Sequence, residues 1–163
     1  MATRMQVLIP VAAAAVIVGV VGIISIPADT KMDFAEFPQG TIRVDDVVVQ
    51  VQIADTEPRR VLGLMHQNEL PYDQGMIFIF DSVGQYSLWM RNVQFPLDMI
   101  WFDEDGVVVH IEERVPPCLT ALEAMTCPSI APEVDALYIL EATGGFVELH
   151  NIQLGSQLYL ISV

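Results

Sequence analysis

The sequence predicts a mostly β, α+β domain whose mixed or antiparallel sheet curls toward a barrel and carries two short helices, with one transmembrane helix ahead of it. Three observations predict this arrangement. A run of 24 uncharged residues lies between Arg4 and Asp29. From Thr41 onward, short β-branched segments of alternating polarity recur between turn residues. At 163 residues the chain has room for one domain and a targeting segment, and not for two independent cores.

The first element is the apolar run. As a helix, Val7 to Ile26 would span about 30 Å, the thickness of a bilayer's hydrocarbon layer. Pro10 stands near the expected helix start and Pro27 where the helix should stop. Arg4 precedes the span, while Asp29, Asp33 and Glu36 follow it, so the positive-inside tendency places the N-terminus in the cytoplasm. Residues 1–28 are therefore expected to be a single-pass anchor in the cell membrane, in contact with lipid through residues 7–26. A cleaved signal peptide ending at Ala28 is the competing reading. Either one places the rest of the chain outside the cytoplasm, with residues 29–40 as a linker and 41–163 as the exported domain.

Within that domain, Ile42 to Val44 and Val47 to Ile53 read as a hairpin around Asp45-Asp46. Thr56-Glu57-Pro58 supplies a helix start, with a hydroxyl cap, an acid in the first turn and a proline, leading into Arg59 to Met65. Met76 to Phe80, Ser87 to Val93, Asp98 to Phe102 and Val107 to Glu112 read as strands, the last two forming a hairpin through Asp103 to Gly106. Residues 114–134, rich in proline and holding both cysteines, read as a long loop. Ala136 to Glu141 is expected as a strand, Phe146 to Asn151 as a short helix and Gln157 to Val163 as the closing strand, about seven or eight strands in all.

Past the apolar run, six basic residues against 21 acidic ones leave a net charge of −15, which repels nucleic acid phosphate and anionic headgroups. Nucleic acid is therefore not expected as a partner. Acidic excess with Lys31 as the only lysine also suits a high-salt habitat. Cys118 and Cys127 are the only cysteines, and in an exported domain they are expected to form a disulfide. Their C-x8-C spacing differs from that of a C-x-x-C redox pair or a zinc ribbon.

A series of short motifs runs through this domain: Arg60-x-x-Gly63-Leu64-Met65, Gly75 to Phe80, Leu88-Trp89-Met90-Arg91-Asn92-Val93, Phe95-Pro96-Leu97-Asp98 and Phe102 to Gly106. Pro117-Cys118, Cys127-Pro128, Leu140-Glu141-Ala142 and the Gly144 to Gly155 turn follow. In this order and spacing, residues 41–163 resemble domain-of-unknown-function family 192, a group of small, often exported prokaryotic proteins. The resemblance implies a shared fold and brings no agreed activity. The family's pattern has a basic residue where this chain has Gln67, and a lysine where it has Arg91.

For chemistry, strand alternation would place Trp89, Arg91 and Val93 on one face, with Met90 and Asn92 on the other. An arginine beside a tryptophan, with Arg60 and Asp98 near, suits a carboxylate, a phosphate or a sugar. The candidate ligand-binding residues are thus Arg60, Trp89, Arg91, Asn92 and Asp98. The plainer alternative is that Arg91 pairs with Asp98 or Glu69 and that Trp89 is core. Met65, Met76, Met90 and Met99, with His66, offer soft ligands to monovalent copper, but no M-x-x-M or H-x-M run is present and packing is the simpler role. Asp103 to Gly106 lacks the spacing of a calcium loop. No metal site or cofactor is assigned. His66, His110 and His150 are the only imidazoles, and no catalytic motif accompanies them. The sequence therefore points to an extracytoplasmic binding or accessory module for a small ligand or an envelope partner. The alternatives are an envelope hydrolase or transferase using Asp98, Glu69 or His66, and a copper-binding accessory protein.

Overall fold

The computed structural model describes residues 37–163. The expected anchor 1–28, its span 7–26 and most of the linker 29–40 lie outside the described residues. Among the described residues no helix is long and apolar enough to cross a membrane. The domain begins slightly earlier than Thr41: Phe37 packs against the core, and Gln39 and Gly40 already belong to the first strand.

Nine strands and three short helices follow among the described residues. They are β1 (Gln39–Val44), β2 (Val47–Ala54), α1 (Glu57–Leu62), β3 (Gln74–Gly84), β4 (Leu88–Trp89) and β5 (Leu97–Phe102). The chain continues with β6 (Val108–Val115), α2 (Ala121–Thr126), β7 (Ser129–Ile130), β8 (Ala136–Thr143), α3 (Phe146–His150) and β9 (Leu158–Ser162). Seven strands form one sheet in the order β6-β5-β8-β3-β2-β1-β9, and β4 pairs with β7 in a separate two-stranded ribbon. The sheet is mixed, because β2 and β3, separated by α1, run parallel while the other neighbours run antiparallel.

The sheet curls but does not close into a barrel. Its edge strands share no ladder, and the two sides approach only through a single bridge between Val107 and Gln157. Flanking backbone bonds, Val108 N–H to the Ser156 oxygen (2.9 Å) and Leu158 N–H to the Gly106 oxygen (2.8 Å), hold that seam. The expected hairpins at Asp45-Asp46 and Asp103 to Gly106 are present. In the second, the Asp103 carboxyl accepts the N–H groups of Asp105 and Val107, making it a side-chain-stabilised turn.

Alternation along the central strands divides the interior into two clusters. One face carries Ile77, Leu140, Ala142, Ile100 and Phe102 together with Phe146 and Val147 of α3. The other carries Met76, Phe78, Ile139, Met99 and Trp101, covered by Leu64 and by the Leu88 to Phe95 segment. β5 is buried at all six positions, as expected for a strand covered on both faces.

Three expectations change. Ser87 to Val93 is not a continuous strand: only Leu88 and Trp89 form a ladder, Arg91 makes an isolated bridge to Cys118, and Asn92 takes a left-handed turn (φ 57°). Residues 114–134 contain a helix, α2, whose Thr120 hydroxyl accepts the Glu123 N–H while the Glu123 carboxylate accepts the Thr120 N–H. This reciprocal cap is written in the sequence as T-x-x-E. Finally, α1 starts after Thr56 and contains Pro58, but the Thr56 hydroxyl makes no cap bond.

The Cys118–Cys127 disulfide is formed, with its Cα atoms 6.0 Å apart. It closes a loop whose helix α2 buries no residue, so the cap and the bridge replace core packing there. Removing the bridge by C118S/C127S is expected to lower stability by about 2–3 kcal/mol in urea denaturation; an unchanged midpoint would contradict this role.

Asp98 is fully buried on the α3 side of the sheet. Its carboxyl accepts three backbone N–H bonds, from Arg114 (2.8 Å), Gly145 (3.0 Å) and Val147 (2.8 Å). Gly145, at the N-cap of α3 with φ 100°, has no side chain to cap the helix, and Asp98 reaches across from β5 to do so. Substituting Asp98 with alanine strands three buried donors, and a loss on the order of 4 kcal/mol is expected in the same denaturation assay.

Candidate functional site

The site grows from one strand position. Across the sheet, Gln52, Met76, Glu141, Met99 and Glu112 stand in register on β2, β3, β8, β5 and β6. Glu141 therefore occupies the centre of the sheet between two fully buried methionines. Its side chain is only 3% exposed. What exposure remains opens into a cavity of about 280 Å³, whose floor it forms.

The walls of that cavity come from three segments. α1 and the turn after it contribute Arg60, Leu64 and Met65; β3 contributes Phe78 and Phe80; the β4 segment contributes Leu88, Trp89 and Val93. The wall after α1 depends on Gly63, which ends the helix at φ 49° and donates its N–H to the Arg59 carbonyl. Beyond it, Gln67 and Gln52 exchange side-chain amide bonds of 2.7 and 3.0 Å, pinning the turn to β2. On the β3 side, Phe80 stacks on Tyr86 with ring centroids 3.5 Å apart. Tyr86 in turn accepts the Trp101 indole N–H on its carbonyl. Trp89, 43% exposed, stands at the mouth.

The carboxyl of Glu141 makes no hydrogen bond to any described residue. Desolvation alone pushes its pKa up, to about 8. It is thus predominantly protonated at neutral pH, an acid in an apolar pocket. Arg60 stands on the same wall. Its Nη1 donates to the carbonyl oxygens of Asp55 and Ile79, each at 2.8 Å, and its Nη2 lies 3.6 Å from exposed Asp81. A second carboxylate, Glu57 at the start of α1, also lines the pocket.

The structure brings together two of the five residues that the sequence suggested as ligand-binding, Arg60 and Trp89, and separates the other three. Arg91 is exposed, lies outside the pocket and forms no ion pair with a described residue; neither Asp98 nor Glu69 meets it. Asn92 supports the wall instead: its carbonyl accepts the His66 N–H (3.0 Å), and its amide lies 3.9 Å from the Met65 sulfur. Asp98 is on the opposite face of the sheet, spent on backbone bonds. Because β4 is only two residues long, Trp89 and Arg91 do not share a strand and alternation does not relate them. Trp89 is not core either.

Glu141 is not among the residues that the sequence suggests for the site. Its one local signal is an acid inside an apolar strand, flanked by Leu140 and Ala142. Met76, Met90 and Met99 are buried packing residues of the second cluster, and exposed His66 is not with them.

A model of the family DUF192, described as Uncharacterized ACR, matches residues 40–160. No curated protein matches the chain at a significant level. Among solved structures, a protein from Sinorhizobium meliloti 1021 described as a candidate transcription regulator is 25% identical, with a TM-score of 0.69 over 77% of this chain and 95% of its own. A protein of unknown function from Novosphingobium aromaticivorans DSM 12444 is 24% identical, with a TM-score of 0.68 over 78% of this chain and 89% of its own.

The raised pKa of Glu141 sets a pH dependence. Between its unfolded value near 4.5 and its folded value of about 8, the native state holds a proton that the unfolded state has released. Stability is therefore highest below that window and is lost as pH rises through it. Glu141→Gln is expected to flatten this decline and to exceed the parent by on the order of 4 kcal/mol at pH 9, at about 1.4 kcal/mol per unit. Parallel pH–stability curves for the two proteins would show that the carboxyl is not held neutral.

Proposed function

The chain belongs to the uncharacterised family DUF192, and from that premise we propose that it is a membrane-anchored extracytoplasmic module that binds a small ligand, or a side chain of an envelope partner, in the pocket above Glu141. The observation that carries this reading is the combination of a preformed apolar cavity with one buried carboxyl that has no hydrogen-bond partner among the described residues. Burying such a group is costly, and a stable fold gains nothing from it that a leucine would not supply. A ligand that meets the carboxyl offsets the cost. The cavity volume suits a group of small-molecule size, with apolar walls for affinity and a few polar groups for orientation.

The export part of the proposal is supported by the 24-residue uncharged run, by Arg4 before it and by the acids after it. The Cys118–Cys127 bridge also favours an oxidising compartment. The regulator description of the Sinorhizobium protein is not adopted, because 21 acidic residues against six basic ones past the apolar run oppose contact with nucleic acid.

One observation favours a second reading, an envelope hydrolase. Glu57 and Glu141 line the same pocket, one exposed at the helix start and the other buried and protonated, and such a division of environments suits a base and an acid. Asp98, Glu69 and His66, which the sequence offered for those roles, do not line it.

The test is a melting screen of the full chain against sugars, nucleotides, peptides and amines. A compound at one hundred times its Kd is expected to stabilise the native state by about 2.7 kcal/mol. Trp89→Ala should abolish that shift, whereas Arg91→Ala should leave it intact. No shift from any class, or one that survives Trp89→Ala, would remove the pocket from consideration. Turnover of a glycoside or ester, lost in Glu141→Gln, would favour the hydrolase.

A further inference from the structure

We propose that the group seated in this pocket is an alkylated ammonium, held against Trp89 with Glu141 as its counter-ion; the inference rests on the pocket being a binding site. The reasoning is one of charge matching. Two carboxyl groups, exposed Glu57 and the buried, protonated Glu141, and one guanidinium, that of Arg60, line the cavity. The guanidinium is already committed to two carbonyl oxygens and to Asp81, and its Cζ lies 5.3 Å from the centroid of the Phe80 ring. Little of it is left to receive an anion. An anionic occupant would instead meet Glu57 at the mouth and Glu141 at the floor.

A neutral occupant could accept one hydrogen bond from the Glu141 acid but would never draw on its ionised form. A cation displaces the proton and pairs with the carboxylate left behind. The Arg60–Phe80 contact is itself a cation on an aromatic face in this wall, and Trp89, 43% exposed, is the aromatic ring with the surface to receive another, above the buried Phe78. Methyl groups on the nitrogen fit the remaining apolar walls of Leu64, Met65 and Val93, where a bare ammonium would lose strong hydration without replacement. The acidic surface of the domain, −15 past the apolar run, concentrates cations around the mouth. No covalent step is involved: the cation enters, the Glu141 proton leaves to solvent, and the ion pair remains.

The test uses the full purified chain, choline as the probe, and its neutral carbon isostere 3,3-dimethyl-1-butanol as the control. Calorimetry at pH 7 in buffers of different ionisation enthalpy is expected to show saturable choline binding with release of roughly one proton, because the acid is protonated before the cation arrives. The isostere should bind at least about tenfold more weakly, since it lacks the charge that the Trp89 ring and the carboxylate recognise. Glu141→Gln should remove the proton release and weaken choline by a similar factor while leaving the isostere unchanged. Trp89→Ala, at an exposed position, should weaken choline in a protein whose fold is not in question. Equal or tighter binding of the isostere, or choline binding indifferent to both substitutions, overturns the ammonium assignment and leaves the pocket a site for neutral ligands. No binding of choline while another compound shows a Trp89-dependent melting shift also overturns it and spares the broader reading. If no compound of any class binds, both fall together.

Discussion

β8 and its neighbours β3 and β5 are covered on both faces, α3 lying against one side and the Leu64 and Leu88 to Phe95 segments against the other. Under that constraint a polar side chain in the middle of these strands is shut off from bulk water, and each one must find a partner, lose its charge or face a cavity. Asp98 and Glu141 meet the constraint in opposite ways. Asp98 points to the α3 side and is surrounded by backbone donors, which makes it a fastener joining β5, β6 and the start of a helix. Glu141 points to the other side, finds no donor and is left as a neutral acid beneath an opening. Strand parity thus assigns one carboxyl to architecture and the other to chemistry.

The pocket follows from how the second face is covered. Among the described residues no long helix lies over it. Short pieces do the work: a six-residue helix ending at Gly63, a turn fastened by Gln52 and Gln67, and a two-residue strand followed by the Asn92 turn. Irregular pieces leave gaps that a regular helix would fill, and the gap over Glu141 is the cavity. The same economy places Trp89 partly in solvent at the rim. Arg60, bound to carbonyl oxygens on both its own side and β3, acts as a strut between α1 and the sheet as well as a lining residue.

Much of this domain was legible in the sequence where local chemistry decides. The β1–β2 hairpin, the β5–β6 hairpin, the α3 helix with its glycine entry and the closing strand are each marked by alternation or turn residues, and each is present. So is the bridge between the two cysteines. What could not be read depends on contacts distant in sequence. Asp98 looked like a binding residue because it follows Trp89 and Arg91 by a few positions, yet its partners are Gly145 and Val147, nearly fifty residues on. Glu141 looked like an ordinary strand residue because nothing in Leu140-Glu141-Ala142 tells that both flanking strands present methionines beside it. The α2 helix is a different kind of miss: its reciprocal Thr120–Glu123 cap is local, and it was obscured by the prolines around it.

The ribbon of β4 and β7 ties this pocket to the redox history of the chain. Trp89 is backed by Ser129, which follows the bridged loop by two residues, and Arg91 pairs its backbone with Cys118 itself. The rim is therefore mounted on a segment that joins a covalent tie to the partial burial of Cys118, Cys127 and Ile130 against the second cluster. A molecule still carrying free thiols would possess the floor and the inner walls, formed by the sheet, but would hold its gatepost loosely. On the proposed reading, an occupant would be held more weakly by the reduced chain than by the oxidised one.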